Sequence, residues 1–218
     1  MPERCEERAL AELNYTIRAV IFDLGGVLLR TIDAQPRLDL ARRYGISRED
    51  LEQLVFGSEI SRQAETGTVG PEAVWRNVQD TLRIADEDLN AFKDAFWAGD
   101  RLDEDILAFV GSLRGNFRTV LLSNSWSDMR KTVARRFGHL DAFEMQVFSA
   151  EVGKRKPGTE IFQYVLDLLG ADPEEAVFVD DFSENVQAAR KLGMHSIQFK
   201  NARQIRKEVS DLLGLDIA

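Results

Sequence analysis

Ala19-Val20-Ile21-Phe22-Asp23-Leu24-Gly25-Gly26-Val27-Leu28-Leu29 is the stretch from which the rest of the chain can be read. Ala19 to Phe22 is an apolar run rich in β-branched and aromatic residues, the pattern of a strand buried on both faces. A carboxylate follows at once, then two glycines, then a second apolar run. Glycine takes backbone angles barred to other residues and lets the chain approach a ligand closely. The stretch therefore delivers one acid to the end of a core strand and turns sharply beneath it. Ligands in open parallel sheets bind at such carboxyl ends, which makes Asp23 the first candidate for chemistry. Asp-x-Gly-Gly on its own is equally a local turn, so the other strand ends have to decide.

The 218 residues suffice for one core and a smaller satellite domain. Hydrophobic residues at 44% and charged residues at 30% describe an ordinary globular protein, and no apolar run approaches the length of a membrane span. Residues 1–16 read as a polar, mixed-charge leader without a secretory core, so the expected location is the cytoplasm. Cys5 is the only cysteine and sits in that leader, where an internal disulfide is impossible and catalysis is not expected. A net charge of −9 argues against nucleic acid and anionic membranes as partners. It leaves room for a small anionic substrate, which needs only a local cluster of donors. Monomer and homodimer are both compatible with this composition.

From Asp33 to Asp100 the period changes from strand to helix. Leu38, Ala41 and Tyr44 fall on one helical face, as do Leu51, Leu54 and Val55, with Ser47 placed to cap the second helix. Val74, Val78 and Leu82 follow Pro71 at a first-turn position, and Leu89, Phe92, Phe96 and Trp97 form a fourth stripe. Residues 33–100 thus read as an inserted helical bundle without strands. The bundle carries eight Lys and Arg against fourteen Asp and Glu, a net −6 that holds most of the molecule's negative charge. From Arg101 onward, helices over 103–113, 128–137, 159–169, 183–192 and about 205–213 alternate with apolar runs at 119–122, 146–148, 176–179 and 196–199. Such alternation implies a parallel sheet with right-handed crossovers, formed by 17–32 together with 101–218.

The strand ends then supply a set of groups. Asp23 follows the first run, Ser123-Asn124-Ser125 the second, Lys154-Arg155-Lys156-Pro157-Gly158 the third, and Asp180-Asp181 closes the fourth. In a parallel sheet these all meet on one edge, and each has a task in phosphoryl transfer, where catalysis is mainly positioning and charge stabilisation. Ser123 and Asn124 can donate hydrogen bonds to phosphoryl oxygens, and Lys156 can neutralise one of them. Asp181, Asp23 and a backbone carbonyl, that of Gly25, offer the hard oxygen ligands that Mg²⁺ prefers, with Asp180 a ligand itself or a support. Asp23 can attack phosphorus to form an aspartyl-phosphate that water hydrolyses. Ser183 is placed to cap the helix after the acidic pair, which leaves the pair in need of another role. Lys154 and Arg155 read as solvated charges; Lys156, before a proline and a helix start, is better fixed.

Phe22-Asp23-Leu24-Gly25-Gly26-Val27, Leu122-Ser123-Asn124, Lys156-Pro157 and Val179-Asp180-Asp181 resemble, in order, the four motifs of the haloacid dehalogenase-like hydrolase superfamily. The resemblance covers nearly everything after the leader, and residues 33–100 resemble that superfamily's helical cap. It implies a Rossmann-like α/β fold, a three-layer α/β/α core with an all-helical cap, Mg²⁺ as cofactor, and usually phosphatase activity on a small phosphorylated metabolite of the sugar-phosphate kind. One position departs. Most phosphatases of this family carry a second Asp two residues after the nucleophile as general acid and base, and here that residue is Gly25. General acid–base help is worth ~10²–10⁴-fold, about 3–5 kcal/mol. Its loss favours leaving groups that depart unprotonated, unless a donor from the cap, such as Glu65 or Asp33, substitutes.

A 2-haloacid dehalogenase also forms an ester on its aspartate and also lacks the second Asp. Dehalogenases work without Mg²⁺, however, and resemble Ser-Ser-Asn where this chain has its acidic pair. A non-catalytic phosphate- or protein-binding domain is the third reading, supported by Gly25 alone. His139 and His195 are the only histidines, and His195, at a strand start, reads as structural. Arg30, Arg37 and Arg62 are candidate phosphate or hydroxyl contacts, and Trp126 is placed either to meet substrate or the closed cap, or to pack in the core.

Overall fold

The computed structural model describes residues 16–137 and 140–215; Met1 to Tyr15, with Cys5, and His139 lie outside the described residues. Strand β1 (Ala19–Phe22) is buried along its whole length, and its side chains part by alternation, as a strand's period of two requires. Val20 and Phe22 enter one apolar cluster and Ala19 and Ile21 the other. Two helical layers therefore sandwich the sheet, the three-layer arrangement expected.

After β1 the chain runs out through β2 (Leu29–Thr31) into five helices, α1 (Gln35–Arg43), α2 (Arg48–Phe56), α3 (Glu59–Glu65), α4 (Pro71–Leu82) and α5 (Leu89–Trp97). It returns through β3 (Asp100–Leu102), followed by α6 (Glu104–Leu113), β4 (Arg118–Ser123), α7 (Met129–Phe137), β5 (Met145–Phe148) and the single turn α8 (Ser149–Val152). Then come α9 (Thr159–Leu169), β6 (Ala176–Asp180), α10 (Ser183–Lys191), β7 (His195–Gln198) and α11 (Ala202–Leu213). The main sheet has the order β5-β4-β1-β6-β7, every pairing parallel. Val110 of α6 and Val209 of α11 cover one face, and Phe162 of α9 with Ala189 of α10 covers the other.

Three local expectations need correction. The stretch 33–100 is not free of strand: it ends in β3, which pairs antiparallel with β2 and places Thr31 opposite Asp100. Runs of three residues carry too little period to read. In α1 the buried face is Arg37, Leu40 and Ala41, while Leu38 is exposed. A buried arginine broke the hydrophobic pattern there. Ser183 does not cap α10; its N-cap position is Phe182, whose backbone N–H donates to Asp180 Oδ1 at 2.8 Å. Ser47 does cap α2, accepting from Asp50 N, and Pro71 opens α4.

The helices α1 to α5 share an apolar cluster of their own, built on Leu51, Val74, Trp75, Phe92 and Phe96. Trp126, from the loop after β4, belongs to it. Its ring centroid lies 5.7 Å from that of Trp75, and its Nε1–H donates to Ser61 Oγ of α3 at 3.1 Å. Trp126 is buried, and of the expected alternatives its contact is with the helical block 33–100 rather than with the core of the sheet.

Candidate active site

The strand order puts β1 between β4 and β6, so the residues at those three strand ends become neighbours by topology. Asp23 N–H donates to Val179 O at 2.9 Å, which ties the first residue past β1 to β6. The chain then turns: Leu28 and Leu29 N–H both donate to Leu24 O, and Gly26 N–H to Leu29 O at 3.0 Å. Gly26 has φ +75°, and a Cβ on it would collide with the Asp181 carboxylate. Gly26 is thus the glycine that the turn requires. Gly25 is not, because its φ lies outside the left-handed region and a Cβ there meets nothing within 4 Å.

Lys156 is the centre of the arrangement. Although only 1% exposed, its Nζ lies 2.7 Å from Asp23 Oδ1 and 2.7 Å from Asp180 Oδ2, and donates to Leu122 O at 3.0 Å. A buried ammonium needs such compensation. Asp180 is saturated as well: besides Lys156 and Phe182 N–H, it accepts from Asn185 Nδ2 on both oxygens at 3.0 Å. Asp181 differs, because its Oδ1 is buried without a hydrogen-bond partner. Asp23, Asp180 and Asp181 each offer an oxygen within 4.8 Å of the others.

These distances set the electrostatics. Burial raises Asp23 to about 7 against the pull of Lys156, with Asp180 and Asp181 adding to the rise. Burial and the neighbouring Asp180 raise Asp181 to about 6. For Lys156, burial acts to lower the pKa but is outweighed by Asp23 and Asp180, so the ammonium is held above the usual lysine range. Three acids face one cation, and the surplus negative charge together with the orphaned Asp181 oxygen suits a hard divalent cation.

Asn124 plays a different part from the one expected of its side chain. Its carboxamide clamps the loop that carries Lys156, with Nδ2 donating to Lys156 O at 2.9 Å and Oδ1 accepting from Lys156 N at 2.8 Å. Ser123, buried at the end of β4, makes only a 3.4 Å contact to Asn124 O, which leaves its hydroxyl available to a ligand. A cavity of about 870 Å³ opens over this edge, walled on the far side by α2, α3 and the β2–β3 ribbon.

The three candidate arginines line that cavity already paired. Arg37 is buried between Asp100 at 2.7 Å and Glu52 at 2.9 Å. Arg30 pairs with Asp103, and Arg62 with Glu59 and Gly57 O. Asp33 accepts from Gln35 N at the start of α1 and is no part of the cavity wall. Glu65 is part of it, 2.7 Å from Arg155 Nε. Arg155 is therefore not a solvated charge. The Glu65–Arg155 pair went unread because nothing in a linear pattern announces a partner 90 residues away; Asn185, only five positions from Asp180, went unread because an amide in a helical first turn carries no mark of its partner.

The sequence profile of the haloacid dehalogenase-like hydrolases matches residues 17–193. The chain belongs to that family. Among curated proteins it is 28% identical over 213 residues to the drimenol cyclase DrtB of Aspergillus calidoustus, covering 91% of this chain and 37% of that protein. The chain thus spans little more than a third of that relative. It is 25% identical to the D-ribitol-5-phosphate phosphatase of Bacteroides thetaiotaomicron over 91% of this chain and 99% of that one. A haloacid dehalogenase family enzyme of Bacteroides thetaiotaomicron, solved in complex with magnesium and inorganic phosphate, superposes with a TM-score of 0.68 at 26% identity, covering 84% of this chain and 94% of that one. Among the described residues, no helix is long and apolar enough to cross a membrane.

Proposed function

We propose that this hydrolase is a Mg²⁺-dependent phosphatase of small phosphorylated metabolites, working through an aspartyl-phosphate on Asp23, with residues 33–100 as a cap over the site. The observation that carries this reading is the bridge of Lys156 between Asp23 and Asp180, beside an Asp181 oxygen left without a partner. The relative that acts on ribitol 5-phosphate, and the solved neighbour with magnesium and phosphate, lend it support.

Asp23 attacks phosphorus in line, the bond to the leaving oxygen breaks, and water then attacks the phosphoryl group and frees the carboxylate. Lys156 and the Ser123 hydroxyl meet the phosphoryl oxygens, and Asn124 holds the Lys156 loop while offering its backbone N–H. Asp181, Asp23 and the Gly25 carbonyl would hold Mg²⁺, with the saturated Asp180 acting through Lys156 and Asn185. Bound there, the ion offsets the combined charge of substrate and acids. The acidic pair disfavours the dehalogenase reading, since without a metal it would repel an anionic haloacid.

Phosphate release from p-nitrophenyl phosphate and from a panel of sugar and polyol phosphates, with Mg²⁺ or EDTA, tests this. The expected result is Mg²⁺-dependent release that falls to background in Asp23→Asn. Release that survives EDTA or that substitution contradicts it.

A further inference from the structure

Position 25 lacks an acid although one would fit there, since the space around Gly25 is open and its backbone unstrained. The same cavity has other acids in its wall. Asp100 and Glu52 are taken up by Arg37, and Glu49 and Glu184 are exposed. Glu65 is different. Its side chain is 14% exposed, and its partner Arg155 immediately precedes Lys156.

The helix that carries Glu65 is bonded to the loop after β4 on one side of it and passes close against α8 on the other. Ser61 receives the Trp126 bond, and a Cβ on Gly67 (φ +71°) would collide with Ala150 O of α8. α3 thereby presents Glu65 to the cavity. Burial raises Glu65 above the ordinary glutamate range, against the lowering pull of Arg155, Lys156 and Arg62, so it keeps its proton closer to neutrality.

We propose that Glu65 is the proton donor and acceptor of this enzyme, in place of the residue absent at position 25; this rests on the phosphatase reading above. As Asp23 bonds to phosphorus and the phosphorus–oxygen bond to the leaving group breaks, the Glu65 carboxyl proton passes to the departing oxygen, giving the free alcohol. Glu65, now a carboxylate, takes a proton from the water that attacks the phosphoryl group. The acyl-phosphate bond breaks, Asp23 is released as carboxylate, and Glu65 is again protonated. A simple tether between cap and core would do neither.

The test is Glu65→Gln, which keeps an oxygen for Arg155 Nε but has no proton to give. The probes are p-nitrophenyl phosphate, whose leaving group departs unprotonated, and glycerol 1-phosphate, whose leaving group does not. The expected result is a kcat/KM loss of ~10²-fold or more on glycerol 1-phosphate and little on p-nitrophenyl phosphate. The wild-type decline of glycerol 1-phosphate turnover with rising pH should vanish, and with p-nitrophenyl phosphate, whose first step is spared, phosphorylated enzyme should accumulate as the second step slows. Adding Gly25→Asp to Glu65→Gln should restore much of the loss. Equal losses on the two substrates, or none, would overturn the role of Glu65 while leaving the phosphatase reading intact. Absence of any Asp23-dependent release from the wild type would overturn both.

Discussion

Two adjacent glycines have unequal burdens. Gly26 has a left-handed φ and no room for a Cβ beside Asp181, whereas Gly25 has neither constraint. Gly26→Ala is expected to destabilise the protein by at least about 1–2 kcal/mol from the left-handed conformation alone and to weaken Mg²⁺ binding by displacing Asp181. Gly25→Ala should stay within about 0.5 kcal/mol of wild type. Thermal unfolding and Mg²⁺ titration of the two variants side by side check this, and equal destabilisation would contradict it. The motif Asp-x-Gly-Gly was legible as a turn under an acid, but which glycine was obligatory depended on Asp181, 155 positions along the chain from Gly26. Asp23, Ser123, Lys156 and Asp181 could be named from sequence because each ends or follows an apolar run. The Asn124 clamp and the difference between Asp180 and Asp181 could not, since both lie in hydrogen bonds rather than in residue type.

Among the elements, the short ones β2, β3, α3 and α8 were missed, and β2 and β3 form the passage between sheet and helical block. Their ribbon is tied by Thr31 Oγ1 donating to Asp100 Oδ1 at 2.7 Å. Asp100 in turn holds Arg37, which also reaches Glu52 of α2, donates to Phe96 O and lies 4.4 Å from the Phe96 ring centroid. One buried guanidinium therefore fastens the ribbon to α1, α2 and α5. Burial raises Asp100, against the lowering effect of Arg37, as expected for an acid that depends on its cation. Removing one partner of a buried pair leaves the other uncompensated, so Arg37→Met should destabilise by about 3–5 kcal/mol, measured by denaturant unfolding. A change under 1 kcal/mol, by the same principle, would show that Asp100 and Glu52 find other partners. The long helices and the core strands were legible because their apolar period persists over many residues. The α1 face was misread because its innermost residue is charged.

For the molecule as a whole, the sheet order brings four separated segments to one edge, and the helical block 33–100 walls a cavity over them, with Trp126–Ser61 and Arg155–Glu65 among the contacts that dock it. The order of motifs along the chain was enough to foresee the edge. The docking was not foreseeable, because Trp126 and Arg155 look like core filler and surface charge until Ser61 and Glu65 are set against them. In the proposed mechanism Asp23 itself carries the phosphoryl group. Wild-type protein mixed with Mg²⁺ and p-nitrophenyl phosphate, quenched in acid during turnover and mapped by mass spectrometry, tests it directly. The expected result is a single phosphoryl group on the peptide containing Asp23, absent in Asp23→Asn. Turnover with no phosphorylated peptide, or with the group on another residue, would contradict it.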